Sequence, residues 1–181
     1  MKKTVLTFGL ISGFIMIAMM TITLVLSDRI GFGHNLVLGY TILVLGSLLI
    51  FFGIRSYREN IGGGQISFGR AFAVGILITV VASVCYVVCW EIIYFNFMPD
   101  FADKYAAYIL EQARASGATQ QVIDAKLAEM KGLKALLDNP LYNGLMTFAE
   151  PFPIGLLVTL ISAAVLRTKR AVIQARRADV Q

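Results

Sequence analysis

Residues 71–97 read AFAVGILITVVASVCYVVCWEIIYFNF, a run of 27 residues that contains one charged residue, Glu91. A helix that crosses a bilayer needs about 20 consecutive apolar residues, because the hydrocarbon core is about 30 Å thick and a helix rises about 1.5 Å per residue. The aromatic residues of this run gather near its end, between Tyr86 and Phe97, and such residues are enriched at membrane interfaces. The run therefore predicts a transmembrane helix whose C-terminal end lies at a headgroup layer.

Outward from this run, three further stretches have comparable length and apolar character: residues 5–26, 36–54 and 145–166. The whole chain of 181 residues is 57% hydrophobic and 15% charged, whereas soluble domains carry about 45–50% apolar and about 25% charged residues. This composition excludes a large soluble catalytic domain. We predict an all-α integral membrane protein with four transmembrane helices in a single membrane domain, residues 1–181.

The connections between the four runs differ in length and composition. Residues 31–35 predict a short turn, so the first two runs should form an antiparallel hairpin. Residues 55–70 are polar, basic and glycine-rich, which predicts a loop, and Ser67 can cap the helix after it. The first run follows two lysines, as in a signal peptide, but it is longer than the usual apolar region and no cleavage pattern follows, so we expect it to be retained.

Residues 100–143 form the one polar stretch of domain-like size. Two amphipathic patterns occupy it, with apolar residues spaced three and four apart. Ser116 and Gly117 separate the patterns, Thr119 can cap the second, and the segment 138–140 ends it. We predict an extracytoplasmic helical hairpin between the third and fourth spans, with the apolar faces of both helices turned toward the membrane.

The positive charges indicate the orientation of the chain. Both termini and the glycine-rich loop share one side, which holds ten Lys and Arg residues against two acidic residues. Cytoplasmic segments carry such an excess, so both termini and the basic tail, residues 167–181, are expected in the cytoplasm and the insert outside. Topology also accounts for the net charge of +5, so we expect no nucleic-acid partner.

The segment GGGQISFGR contains the G-x-x-x-x-G spacing of a phosphate-binding loop, between Gly64 and Gly69. The Lys and Ser or Thr that must follow are replaced by Arg70 and Ala71, so nucleotide binding is rejected. Two interpretations remain for Arg55, Arg58 and Arg70. They contact an anionic lipid headgroup, or they are ordinary topology-setting charges, since three scattered arginines fall short of the usual basic cluster.

Three blocks of sequence carry a resemblance to a known family. They read FFGIRSYRENIGGGQISFGRAFAVG, FMPDFADKYAAYILEQARASGA and NPLYNGLMTFAEPFPIGLLVTLISA. Together they resemble the bacterial membrane-protein family known as domain of unknown function 4199, over nearly the whole chain. The resemblance implies a four-span protein of the bacterial inner membrane, and it brings no catalytic or ligand-binding residues.

Acidic residues within a span are costly and often functional. Glu91 and Glu150 fall at similar distances from the predicted cytoplasmic side, and His34 lies near the same outer side. These three residues are a candidate polar cluster that responds to protons or cations. The alternative is that Glu91 reaches interfacial water, and that Glu150 only precedes Pro151, a residue favoured in the first turn of a helix.

Each span also carries a stripe of small residues, such as Gly9 and Gly13 in the first and Gly46 and Gly53 in the second. Such stripes let helices approach closely where lipid supplies no hydrophobic drive between them. We favour packing within one chain, because the four stripes can satisfy one another. A homo-oligomer would use the same stripes.

Three classes of function remain open. The first is a non-enzymatic envelope protein whose outer insert, residues 100–143, interacts with an envelope partner or with the membrane surface. The second is a small oligomeric transporter or channel with its polar site at Glu91 and Glu150. The third, a membrane enzyme, is disfavoured because the sequence offers no recognisable nucleophile, metal site or carboxylate constellation. We therefore expect no catalytic residue, cofactor or metal, and the lipid bilayer is the one partner that the composition requires.

Overall fold

The computed structural model describes residues 1–30 and 32–168, with side chains described throughout except for residues 25–36. The described residues form seven helices and no strand: α1 (Lys2–Ile30), α2 (Phe32–Asn60), α3 (Phe68–Phe97), α4 (Phe101–Ala115), α5 (Gln120–Leu137), α6 (Pro140–Phe148) and α7 (Pro151–Leu166). The all-α prediction is confirmed. The predicted basic tail, 167–181, lies outside the described residues from position 169 onward.

Four helical segments are long and apolar enough to cross a membrane: Lys2–Leu24, Val37–Asn60, Phe68–Phe97 and Pro140–Leu166. Their outward faces expose large apolar side chains, among them Phe14, Phe52, Val88, Leu157 and Val165. Lipid tails match such a surface, whereas contiguous apolar patches of this kind are rare on soluble monomers. By length and composition, these four helices indicate a multi-pass membrane protein.

The four spans pack as a bundle. Helix α1 contacts both α2 and α3 on one side, α7 contacts both of them on the other, and α2 and α3 also touch each other. At the end of the bundle that holds residues 61–67, here named the loop end, Ile54, Val74 and Ile78 are fully buried. Toward the opposite end, here named the hairpin end, Met16 and Tyr86 belong to a second apolar cluster.

Glycines lie where the spans approach most closely. A Cβ added to Gly9 would lie 2.7 Å from Val81 Cβ, and one added to Gly46 would lie 2.7 Å from Met16 Cγ. Real side chains do not approach so closely, so the neighbouring helix occupies the space that a side chain would need. The prediction that these residues lie at helix contacts within one chain is confirmed. Gly39 differs, because an added Cβ would meet nothing within 4 Å.

The loop predicted for residues 55–70 is shorter in the structure, because α2 continues to Asn60. Arg55 Nε donates to Glu59 Oε1 at 2.9 Å, an ion pair one turn along the helix that supports its last turns. The helix ends where Gly63 and Gly64 adopt φ values of +58° and +80°, a backbone region that glycine tolerates best.

Of two further helix boundaries, one differs from the prediction and one agrees with it. The turn predicted at residues 31–35 is wrong, since α2 already begins at Phe32. Neither a proline nor a serine that could cap a helix occurs in this segment to delay the start of α2. The predicted cap of α3 is confirmed, because Ser67 Oγ accepts a hydrogen bond from Arg70 N at 3.4 Å.

The fourth span is interrupted, whereas the sequence predicted one helix over residues 145–166. Helix α6 begins earlier, at Pro140, because Asn139 Oδ1 accepts hydrogen bonds from the backbone N–H groups of the first turn. The break falls at residues 149–150. Pro151 and Pro153 supply no backbone N–H there, so the ladder cannot continue, and Glu150 N donates instead to Thr147 O at 3.3 Å.

Helices α4 and α5 pack against each other as a hairpin, and α5 also contacts α6. Gly117, with φ +75°, makes the turn between them at the predicted position. Thr119 precedes α5 as predicted, but its side chain makes no capping hydrogen bond. At the base of the hairpin, the ring of Phe101 meets Trp90 edge-on, with centroids 5.2 Å apart. Aromatic contact thus ties the start of α4 to α3.

Two ion pairs lie on the surface of the hairpin. Lys104 Nζ lies 2.9 Å from Asp100 Oδ2, four residues away along the chain, and its hydrogen bond to the carboxylate lowers the pKa of Asp100. Lys134 Nζ donates to Asp103 Oδ1 at 2.7 Å and so links α5 to α4. Asp103 raises the pKa of Lys134 by this bond. Both pairs are exposed, so each adds little to stability.

The contact at Gly46 generates a testable prediction. Gly46→Leu should lower the thermal stability of the purified protein in mild detergent, because the new side chain must displace Met16, which is buried between the helices. Overpacking of this kind costs about 1 to 3 kcal/mol. Gly39→Leu is the matched control, since it makes the same change in the same helix where space is open. Equal melting temperatures for the two variants would contradict the packing described here.

Candidate functional site

A hydrogen-bonded group of polar side chains lies near the hairpin end, where α3 meets α6. The centre of this group is Asn143 in α6, which is fully buried. Its Oδ1 accepts hydrogen bonds from Trp90 Nε1 at 2.9 Å and from Thr147 Oγ1 at 3.3 Å. Its Nδ2 donates to Leu137 O at 3.0 Å. One amide therefore ties together α3, the end of α5 and α6.

Glu150 lies closer to the loop end than Asn143 does, at the break between α6 and α7. Tyr86 Oη donates to Glu150 Oε2 at 3.4 Å. Tyr86 is buried, whereas Glu150 as a residue remains exposed. The carboxylate makes no capping bond to the helix that Pro151 begins. Glu150 therefore does more than precede Pro151, because its carboxylate accepts a hydrogen bond from Tyr86 of α3.

Glu91 has different surroundings. It is half-buried on α3, and its Oε1 is buried without a hydrogen-bond partner among the described residues. On α6, a Cβ added to Gly144 would lie 3.4 Å from this oxygen. Gly144 therefore leaves room for the carboxylate between the two helices.

The structure gives the two carboxylates of the predicted cluster separate neighbours. Glu150 contacts Tyr86, and Glu91 follows Tyr86 by five residues, which corresponds to a rotation of about 140° around α3 at about 100° per residue. Glu91 and Glu150 therefore lie against different sides of the helix. The third member, His34, falls among the residues whose side chains lie outside the described part of the structure.

The predicted headgroup-binding arginines lie at the loop end. Glu59 Oε1 pairs with Arg55 at 2.9 Å and with Arg58 at 3.4 Å. Arg58 Nη1 also donates to Leu166 O at 3.5 Å, at the C-terminus of α7, where a positive charge is favourable. Arg70 is exposed at the start of α3. Two of the three arginines therefore have protein partners, and the choice between a headgroup site and topology-setting charges stays a prediction.

Two hydrogen bonds between Ile66 and Thr168 also close the loop end. Ile66 N donates to Thr168 Oγ1 at 3.1 Å, and Thr168 N donates to Ile66 O at 2.8 Å. This reciprocal contact joins the loop between α2 and α3 to the chain that follows α7. The two hydrogen bonds therefore anchor the loop to the C-terminal end of the fourth span.

Sequence reasoning missed the polar centre at Asn143 and Trp90. The sequence held one signal for it, because Asn139 and Pro140 have the pattern of an N-cap followed by a first-turn proline. Read in that way, the pair begins a helix that places Asn143 and Thr147 on one face, four residues apart. We had instead assigned both residues of the pair to the end of the preceding helix.

The family described as "Protein of unknown function (DUF4199)" matches residues 7–168. The chain belongs to this family. No curated protein and no solved structure matches it.

The DUF4199 match confirms the resemblance seen in the sequence blocks, and it extends from α1 to the residue after Arg167. It therefore includes the hairpin α4–α5 and both halves of the interrupted span. The family description assigns no activity, so the residues of the polar centre carry no inherited role.

Asn143 provides a direct test of the polar centre in this DUF4199 protein. Asn143→Leu should destabilise the protein by about 1 to 3 kcal/mol, the cost of leaving buried polar groups without partners, here Trp90 Nε1 and Leu137 O. The indole fluorescence should report the lost hydrogen bond. Asn96→Leu is the matched control, because Asn96 is exposed and bonds only to the backbone of its own helix. If both variants unfold at the same temperature, Asn143 does not hold the three helices together.

Proposed function

We propose that this protein is a non-enzymatic envelope protein of the bacterial inner membrane, whose hairpin α4–α5 docks onto an envelope partner. In this proposal both termini lie in the cytoplasm and the hairpin lies on the outer side. The ten-to-two excess of basic over acidic residues on the side of the termini supports the orientation, since such an excess is typical of cytoplasmic segments. Arg55, Arg58 and Arg70 of this count lie at the loop end.

One observation carries the docking proposal: α5 has no buried residue, although it is amphipathic. Its half-buried face, with Ile123, Met130 and Leu137, is the one turned toward neighbouring helices. Val122 and Leu136 lie on another face, and they are 43% and 44% exposed.

Val122 and Leu136 are 14 residues apart, close to four turns of helix, so they lie on one face of α5 with Ala125 and Gly132 beside them and the exposed Glu129 between them. We call this face the stripe. Exposed apolar surface on an otherwise polar element is typical of an interaction site. The stripe supports contact with an apolar surface of a partner, and the lipid headgroup region is the competing occupant.

The stripe can be tested by placing a photo-crosslinking residue, such as benzoylphenylalanine, at Val122 or Leu136 in living cells. We expect one discrete protein adduct at both positions. Lys131 is the matched control, because it is exposed in the same helix on a different face. Adducts that contain only phospholipid would assign the stripe to the membrane surface. Equal crosslinking at Lys131, or no adduct at any position, would overturn the proposal.

A transporter or channel is the second candidate, and the contact between Tyr86 and Glu150 favours it. A carboxylate within a spanning segment is by default a candidate for ion or proton handling. Proton or cation flux into proteoliposomes that is lost in Glu150→Gln would favour this function over docking. Unchanged flux in that variant would count against it.

A further inference from the structure

A groove of about 310 Å³ runs along the outside of the bundle between α3 and α6. Two helices form its walls, and the side chains that line it are almost entirely apolar. They include Val84, Val88, Glu91, Leu141, Leu145 and Phe148. Val88, Leu141 and Leu145 are exposed at its rim, so the groove opens toward the surrounding lipid.

Glu91 is the only charged residue in this lining. Its Oε1 is buried and has no hydrogen-bond partner among the described residues. A buried polar atom without a partner is costly and calls for an explanation. Glu91 as a residue is half-buried, so part of its side chain remains accessible beside the groove although this oxygen does not.

The groove has a polar end and an apolar end. Glu91 lies toward the hairpin end of α3, and Val84 lies two turns closer to the loop end, a distance of about 10 Å at about 1.5 Å per residue. Helix α6 follows the same axis, with Leu141 near the polar end and Phe148 at the other. Trp90 and Tyr94 flank Glu91 in sequence, and such residues sit at the level of lipid headgroups.

We propose that this groove is a binding site for an aminophospholipid of the phosphatidylethanolamine type. The ammonium group donates hydrogen bonds to the Glu91 carboxylate, and an acyl chain lies over Val88 and Leu145. A primary ammonium supplies compact positive charge and three N–H donors. A choline headgroup lacks these donors, and the carboxylate repels an anionic glycerol headgroup. The proposal needs membrane insertion but not the partner of the hairpin.

The test uses the full-length protein in mild detergent, mixed with equal amounts of dioleoyl phosphatidylethanolamine, phosphatidylcholine and phosphatidylglycerol. Native mass spectrometry then measures which lipid remains bound. We expect a preference of about tenfold for phosphatidylethanolamine over each of the others, which corresponds to about 1.4 kcal/mol. Equal retention of the three lipids identifies non-specific annular lipid and overturns the proposal.

Two variants separate the headgroup contact from the groove. Glu91→Gln keeps the shape of the side chain and should abolish the preference while leaving total lipid binding similar. Gly144→Leu fills the groove beside the carboxylate and should reduce retention of all three lipids. Glu129→Gln, which removes an equal charge from an exposed site in α5, should keep the preference.

Each variant must also be shown to fold, since a protein with a side chain added in the groove can misfold. Melting in the same detergent serves for this purpose, and Glu91→Gln decides the outcome if Gly144→Leu does not fold. A phosphatidylethanolamine preference that survives in a folded Glu91→Gln variant would overturn the assignment of this carboxylate.

Discussion

The architecture depends on a reciprocal contact between α3 and α7, where each helix offers a glycine to a threonine of the other. Thr159 packs against Gly75, where an added Cβ would lie 2.7 Å from its methyl group, and Thr79 packs in the same way against Gly155. The two threonine hydroxyls lie 3.2 Å apart. Since lipid provides no hydrophobic drive between helices, close packing and such hydrogen bonds are the interactions that hold spans together.

This contact fixes the register of the chain beyond it. With α7 held against the first half of α3, the break at residues 149–150 places α6 against the second half, where Trp90 finds Asn143. The core at the loop end is apolar and is closed by the hydrogen bonds between Ile66 and Thr168, whereas the hairpin end contains the buried amide of Asn143, two carboxylates and several aromatic rings. The side chains that could recognise a ligand or partner therefore lie at the hairpin end, where α4 begins and α5 ends.

The strongest patterns in the sequence predicted the fold. Uninterrupted apolar runs indicated four spans, and Ser67 and Gly117 marked boundaries that the structure has. Polar composition was misleading where a helix extends beyond the apolar run, as in residues 55–60, because charged residues can form helix as well as loop. The pairing of Asn143 with Trp90, and the separation of Glu91 from Glu150, could not be predicted, since both depend on the rotation and register of packed helices.

The docking proposal depends on the side of the membrane on which the hairpin lies. The most direct measurement introduces Ser116→Cys into a protein with Cys85→Ala and Cys89→Ala, and treats intact spheroplasts with a membrane-impermeant maleimide. Ile61→Cys, at an exposed position in the loop on the opposite end, is the control. We expect Ser116→Cys to react before permeabilisation and Ile61→Cys only after it. The reverse pattern would contradict the orientation and, with it, the outer docking surface.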